Sequence, residues 1–227
     1  MPVAWRYPAV ELATAALFLL CYLRYGLTVD GVGMAVLCFL LLGLAVMDSE
    51  TMRLPDVFTF PGIALGVLYS GISLGIFKEI PPALNLPWGI GVFSPEQHSS
   101  ASSLWPLLLA GLVASAIWAI LAALLLLLIR WLYYLVRHQE GLGMGDVKLL
   151  AMIAAWLGPM PTILTLLLGA LAAGLFGILA VAFSRGKHPF LTTRLPLGSF
   201  LCAAAIYVIF AGNPIIAWYL RFYGIGN

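Results

Sequence analysis

The 227 residues are 63% hydrophobic and 9% charged, against roughly 45–50% and 25% in soluble proteins. A soluble fold would lack the charged side chains needed to coat its exterior, so the solvent is lipid. A formal net charge of +2 with only 11 Lys and Arg excludes a nucleic-acid surface, which needs a clustered basic face.

At about 20 apolar residues per helical span, the length leaves room for roughly six to eight spans. The expectation is a single all-α integral-membrane domain over residues 1–227, a polytopic helical bundle with no separate soluble domain. The residues from Met1 to Pro8 run into a hydrophobic stretch without a small-residue cleavage pattern, so the first apolar segment reads as a retained span. In chain order the apolar stretches fall at 8–26, 31–47, 57–76, 104–129, 147–160, 162–183 and 198–220. The fourth continues in helical sequence through Arg130 to Arg137, beyond what a bilayer needs. The fifth is short and interrupted near Gly158 to Pro161, which suits a half-depth helix lining a cavity. Glycine, alanine and leucine dominate 107–129 and 162–182, as expected of helix packing and lipid contact.

Alternating the loops between two sides collects Arg6, Arg53, Arg130, Arg137, Lys148, Arg185, Lys187 and Arg194 on one and Arg24, Lys78 and Arg221 on the other. Eight against three makes the first side cytoplasmic. Residues 48–56, 130–146 and 184–197 then share the cytoplasmic face, and the proline-rich loop 77–103 lies outside. Cys21, Cys38 and Cys202 stand apart in apolar runs, with no CxxC pair, and read as small apolar residues.

Nine acids are few enough to weigh singly. Asp30, Glu79 and Glu96 fall in or at outside loops, and Glu50 and Glu140 in cytoplasmic ones, where solvation accounts for them. Asp48 ends the second span and Asp146 begins the fifth, so both reach the cytoplasmic boundary. Two such carboxylates form an acid/base pair suited to peptide hydrolysis: one takes a proton from water while the other gives one to the carbonyl oxygen or the leaving amine. Held close, they retain one proton between them. Asp48 lies at a helix C-terminus, which disfavours its charge, and Asp146 at a helix N-terminus, which favours it, so Asp146 is the expected base and Asp48 the expected acid.

Gly141, Gly143 and Gly145 precede Asp146. Glycine there admits a close neighbour, an extended substrate strand or another helix, beside the carboxylate. The competing role is local: the segment ends one helix and starts the next, with Asp146 as its N-cap. Pro55-Asp56 opens the third span, where capping is the expected role of Asp56 and substrate contact a secondary one. Lys148 either assists the pair electrostatically or extends to the interface. Glu11, within the first span, is expected to be solvated or paired with Arg6. His98, His138 and His188 show no ligand spacing.

Asp48, then Leu54-Pro55-Asp56, then Gly143-Met144-Gly145-Asp146-Val147-Lys148-Leu149-Leu150 together resemble the type IV prepilin leader peptidases, membrane aspartic proteases with a Gly-x-Gly-Asp motif. The opening Trp5-Arg6-Tyr7-Pro8, the segment Ala155-Trp156-Leu157-Gly158 and the late Pro196-Leu197-Gly198-Ser199 match in order, so the resemblance covers almost the whole chain. It implies that Asp48 and Asp146 are the catalytic aspartates, with Gly143, Gly145, Asp56, Lys148, Pro196 and Gly198 supporting the site or contacting substrate.

It further implies removal of the short basic leader from type IV prepilins, or from type II secretion pseudopilins, at the cytoplasmic face of the bacterial inner membrane, with cleavage after a Gly. The dyad activates water directly, without a metal or other cofactor. Longer relatives carry paired CxxC motifs ahead of the Arg-Tyr-Pro stretch, and many methylate the new N-terminus. No CxxC occurs here, so structural zinc is not expected, and S-adenosylmethionine enters only if methyl transfer is retained. The family commonly reads Pro-Phe-Gly-Pro where this chain has Pro196-Leu197-Gly198-Ser199. Two other readings of the carboxylates are a proton-coupled transporter, in which Asp48, Asp146 and Glu11 relay charge, and a noncatalytic scaffold for pilus or secretion assembly.

Overall fold

A computed structural model describes residues 6–52, 54–75, 104–138, 143–183 and 197–222. They form seven helices: α1 (Arg6–Tyr25), α2 (Val29–Thr51), α3 (Asp56–Gly75), α4 (Leu104–Arg137), α5 (Met144–Leu157), α6 (Pro159–Phe183) and α7 (Leu197–Phe222). Each coincides with one of the seven expected apolar stretches. Among the described residues five helices, α1, α2, α3, α4 and α6, are long and apolar enough to cross a membrane. The fold is all-α. The expected exterior loop 77–103 and most of the loop 184–197 lie outside the described residues.

Local chemistry sets the helix ends that matter for the site. Thr28 caps α2, its hydroxyl accepting from Gly31 N at 3.1 Å. At the other end Met52 adopts a left-handed φ of 50°, and its N–H donates to the Asp48 carbonyl at 2.8 Å. The helix therefore runs four residues past the expected 47 and holds Asp48 in its last turn. Pro55 starts α3, its carbonyl accepting from Phe58 and Thr59 at 3.1 and 3.4 Å. Asp56 is thus the first helical residue and Pro55 takes the capping place expected of Asp56. The 34 residues of α4 extend about 50 Å at 1.5 Å each, beyond a hydrocarbon core of about 30 Å.

Helix α5 organises the bundle. Its 14 residues reach only about 21 Å, too short to span. Every residue from Leu149 to Leu157 is buried, as befits a helix apolar on all sides. It packs against α3, α4, α6 and α7, while α2 lies between α1, α3 and α7. Gly158, at φ 76°, ends it, and α6 begins at once with Pro159. The break is the one expected from the sequence, but the helix is wrapped by its neighbours.

Close approach brings α3 onto α5. A Cβ on Gly66 would stand 2.6 Å from Trp156 Cδ1, so only glycine lets this indole lie flat there. The indole Nε1 donates to the Gly62 carbonyl at 2.9 Å, and the ring stacks on Tyr69 at 5.1 Å between centroids. Ser115 of α4 donates to the Ala155 carbonyl at 2.7 Å. Such interhelical bonds satisfy polar groups that lipid cannot. The Tyr69 hydroxyl also donates to Asp30, so Asp30 is tied to α3, where the sequence suggested solvation alone. Cys21 and Cys38 are buried free thiols in contact across α1 and α2, with sulfurs 3.9 Å apart, and Cys202 is buried in α7.

Candidate active site

One end of the bundle gathers the C-terminus of α2, the N-termini of α3, α5 and α7, and the connection between α2 and α3. Asp48 faces inward there, only 5% exposed. A buried carboxylate is costly unless hydrogen-bonded, and α7 supplies the donors: Ser199 N donates to Asp48 Oδ2 at 2.7 Å and Ser199 Oγ to the same oxygen at 2.9 Å. Ser199 is the third residue of α7, so its N–H belongs to the first turn, whose donors have no acceptor within the helix. Asp48 therefore ends its own helix and, in space, caps another.

Asp146 enters from α5. The N-cap of that helix is Gly143, which leaves Asp146 as the third helical residue rather than the cap. Its carboxylate reaches back to the Gly143 backbone N–H, one half of a capping box. It stands ahead of the apolar run 147–160 and outside the five spans. Burial, and next the charge of Asp48, push its carboxyl up to about 6 from 3.8, against the smaller opposing effect of the Gly143 bond. The two carboxylates are thus electrostatic neighbours. Burial and the neighbouring carboxylate oppose the charge that the helix end of Asp146 favours.

The glycines make room, and what fills the room is Leu54. A Cβ on Gly145 would be 2.9 Å from Leu54 Cβ, and one on Gly198 would be 3.1 Å from Leu54 Cδ1 and 2.9 Å from Asp48 Oδ2. Leu54, from the connection between α2 and α3, is thus wedged between α5 and α7 beside the carboxylates. A Cβ on Gly143 would be 3.4 Å from Asp146 Oδ2, an ordinary contact. Lys148 projects from α5 to Asp56, Nζ to Oδ1 2.5 Å, with Nζ 4.9 Å from the Phe60 ring centroid. Lys148 and Asp56 are therefore partners of each other, joining α5 to the start of α3.

Of the residues expected from the sequence, Asp48, Asp146, Gly143, Gly145, Gly198, Asp56 and Lys148 all lie at this end, while Pro196 falls outside the described residues. Glu11 is exposed on α1, and the side chain of Arg6, its expected partner, falls outside the described side chains. Leu54 and Ser199 stand in the motif segments, but the sequence assigned neither a role of its own. For Ser199 the available signal was a hydroxyl in the first turn of α7, on the face already assigned to Asp48. Among the described residues no group of three His, Cys, Asp or Glu side chains is placed to hold a metal ion.

Comparison with known proteins places the chain in a family. A prepilin leader peptidase/N-methyltransferase of Pseudomonas aeruginosa is 31% identical over 219 residues, covering 96% of this chain and 63% of its own. One from Burkholderia pseudomallei is 32% identical over 213 residues, 94% of this chain and 57% of its own, and one from Pseudomonas putida is 28% identical over 222 residues, 98% and 64%. The chain thus spans less than two thirds of the length of these relatives. No solved structure matches it significantly. The profile of the type IV leader peptidase family covers residues 35–178, a stretch that holds both Asp48 and Asp146, and the chain belongs to that family.

Proposed function

We propose that this protein is a membrane aspartic endopeptidase that removes the short basic leader from type IV prepilins, or from type II secretion pseudopilins, at the cytoplasmic face of the bacterial inner membrane, cleaving after a Gly. The observation that carries this reading is the meeting of two carboxyl groups at one end of the bundle in unlike environments. Asp48 Oδ2 is an acceptor for two donors, whereas Asp146 is pushed up to about 6. Environments that separate two titratable neighbours set their acid and base roles.

Asp48 is then the base and Asp146 the acid. Water held by Asp48 Oδ1 gives that oxygen a proton as it adds to the scissile carbonyl carbon, and the proton of Asp146 passes to the carbonyl oxygen. The tetrahedral intermediate collapses when the proton on Asp48 passes to the leaving nitrogen, the C–N bond breaks, and a hydroxyl proton of the intermediate returns to Asp146. The cycle closes with no metal or covalent intermediate, and no step is assigned to S-adenosylmethionine. The lipid bilayer holds the apolar helix of the substrate, so the scissile bond meets the dyad at the boundary. The excess of Lys and Arg on this side, eight against three, supports a cytoplasmic site.

The test is a mass spectrum of a prepilin-like peptide after incubation with the purified protein in liposomes. Two products divided after Gly are expected, and the same spectrum reports any added methyl group. Intact peptide in the presence of demonstrably folded protein would overturn the assignment.

A further inference from the structure

We infer that Ser199 is a positioning residue of the dyad: its two hydrogen bonds to Asp48 Oδ2 fix the carboxylate so that Oδ1 is the oxygen that accepts the proton of water. The inference rests on the peptidase reading and adds to it a residue with no part in binding or proton transfer.

An sp² carboxylate oxygen has two in-plane lone pairs. Ser199 N at 2.7 Å and Ser199 Oγ at 2.9 Å engage Oδ2 as an acceptor twice over. The backbone donor belongs to the first turn of α7, so it has no competing acceptor within its helix. The hydroxyl has one alternative, the Ala45 carbonyl at 3.2 Å. Its single proton serves one acceptor at a time, and the shorter bond to the charged partner is the stronger. Ala45 lies one turn before Asp48 on α2, so whichever bond the hydroxyl makes, it ties α7 to the turn that carries the carboxylate.

Gly198 belongs to the same device. A Cβ there would stand 2.9 Å from Asp48 Oδ2, so glycine lets the carboxylate approach the Ser199 N–H. A proline at position 199 would offer neither an N–H nor a hydroxyl, so both bonds to the aspartate depend on Ser199.

Several titratable groups surround Asp48. Asp146 faces it from α5 and the Cys202 thiol from α7. On α2 itself Glu50 lies two residues further on, and the carboxylate of Asp56 at the start of α3 is engaged by Lys148.

The experiment is the measurement of kcat and KM for peptide cleavage by wild type, Ser199→Ala and Ser199→Thr. Losing the hydroxyl donor removes a bond that favours the charged carboxylate. The same loss should lower kcat about tenfold, the scale of one hydrogen bond to a charged group, with KM within about twofold because Ser199 does not touch substrate. Threonine restores the hydroxyl and should return kcat to near wild type. If the alanine variant does not fold, Ser199→Cys, which keeps the N–H and only a weak donor, should show the same loss of kcat in smaller degree.

Wild-type kcat for Ser199→Ala would overturn the inference, as would a loss of kcat that threonine fails to restore. That failure is separate from failure of the peptidase reading, in which the wild-type protein itself leaves the peptide intact.

Discussion

Substituting Gly198 by alanine tests how tightly the site is built. The added methyl would lie 2.9 Å from Asp48 Oδ2, 3.0 Å from its Cγ and 3.1 Å from Leu54 Cδ1, whereas such atoms rest at about 3.5–4.0 Å. Relief requires a shift of about half an ångström. Leu54 is flexible at its tip and can yield, but Asp48 is pinned by two bonds from Ser199, so the carboxylate and the start of α7 move apart. With misplacement by about 1 Å costing on the order of a hundredfold, the expected loss in kcat is about tenfold. Overpacking should also cost about 1–3 kcal/mol of stability.

Gly43→Ala is the control, on the same helix as Asp48 with nothing within 4 Å of the new methyl. It should cleave at the wild-type rate and be no less stable, since alanine favours helix over glycine by up to about 1 kcal/mol. Peptide cleavage and thermal melting of both variants in the same detergent decide the matter. Wild-type kcat for Gly198→Ala, or an equal loss for Gly43→Ala, would refute the packing of Asp48 against α7.

Activity and stability should both carry the signature of Asp146. With its carboxyl raised from 3.8 to about 6, kcat/KM should fall as pH rises through about 6 and the acid loses its proton. Because the folded state binds more protons than the unfolded one between those values, stability should also decline as pH climbs from about 4 to about 6, a slope that Asp146→Asn should flatten in melting curves. Lys148→Ala and Asp56→Ala should each cost less than about 1 kcal/mol and combine non-additively in a double-mutant cycle, since the pair is exposed, 29% and 59%. Trp156→Ala should cost about 3–5 kcal/mol in melting experiments, as it empties the 2%-exposed site against α3 and leaves the Gly62 carbonyl without its indole donor.

Hydrophobic spacing made all seven helices legible, and the scarcity of acids isolated Asp48 and Asp146. Tertiary neighbours were not legible, and they decided the electrostatics. Judged by its own helix, Asp48 sits at a negative end. In the folded chain it meets the positive N-terminus of α7 through Ser199, 151 residues away. Lys148 had two roles open to it, and its partner Asp56 lies 92 residues distant. Asp30 looked solvated because Tyr69, its hydroxyl donor, belongs to another helix. The break at Gly158 was visible in the sequence, but the central position of α5 depends on how four other helices enclose it. Glycine before Asp146 announced a close neighbour, and only the fold identified the neighbour of Gly145 as Leu54.

In the proposed mechanism Asp48 and Asp146 act together on water. Cleavage of a prepilin-like peptide by wild type, Asp48→Asn and Asp146→Asn, each reconstituted in liposomes and shown to be folded, tests it most directly. Both variants should lose activity by at least about a thousandfold, because neither half of a proton-transfer pair works alone. Substantial cleavage by either folded variant would contradict the account.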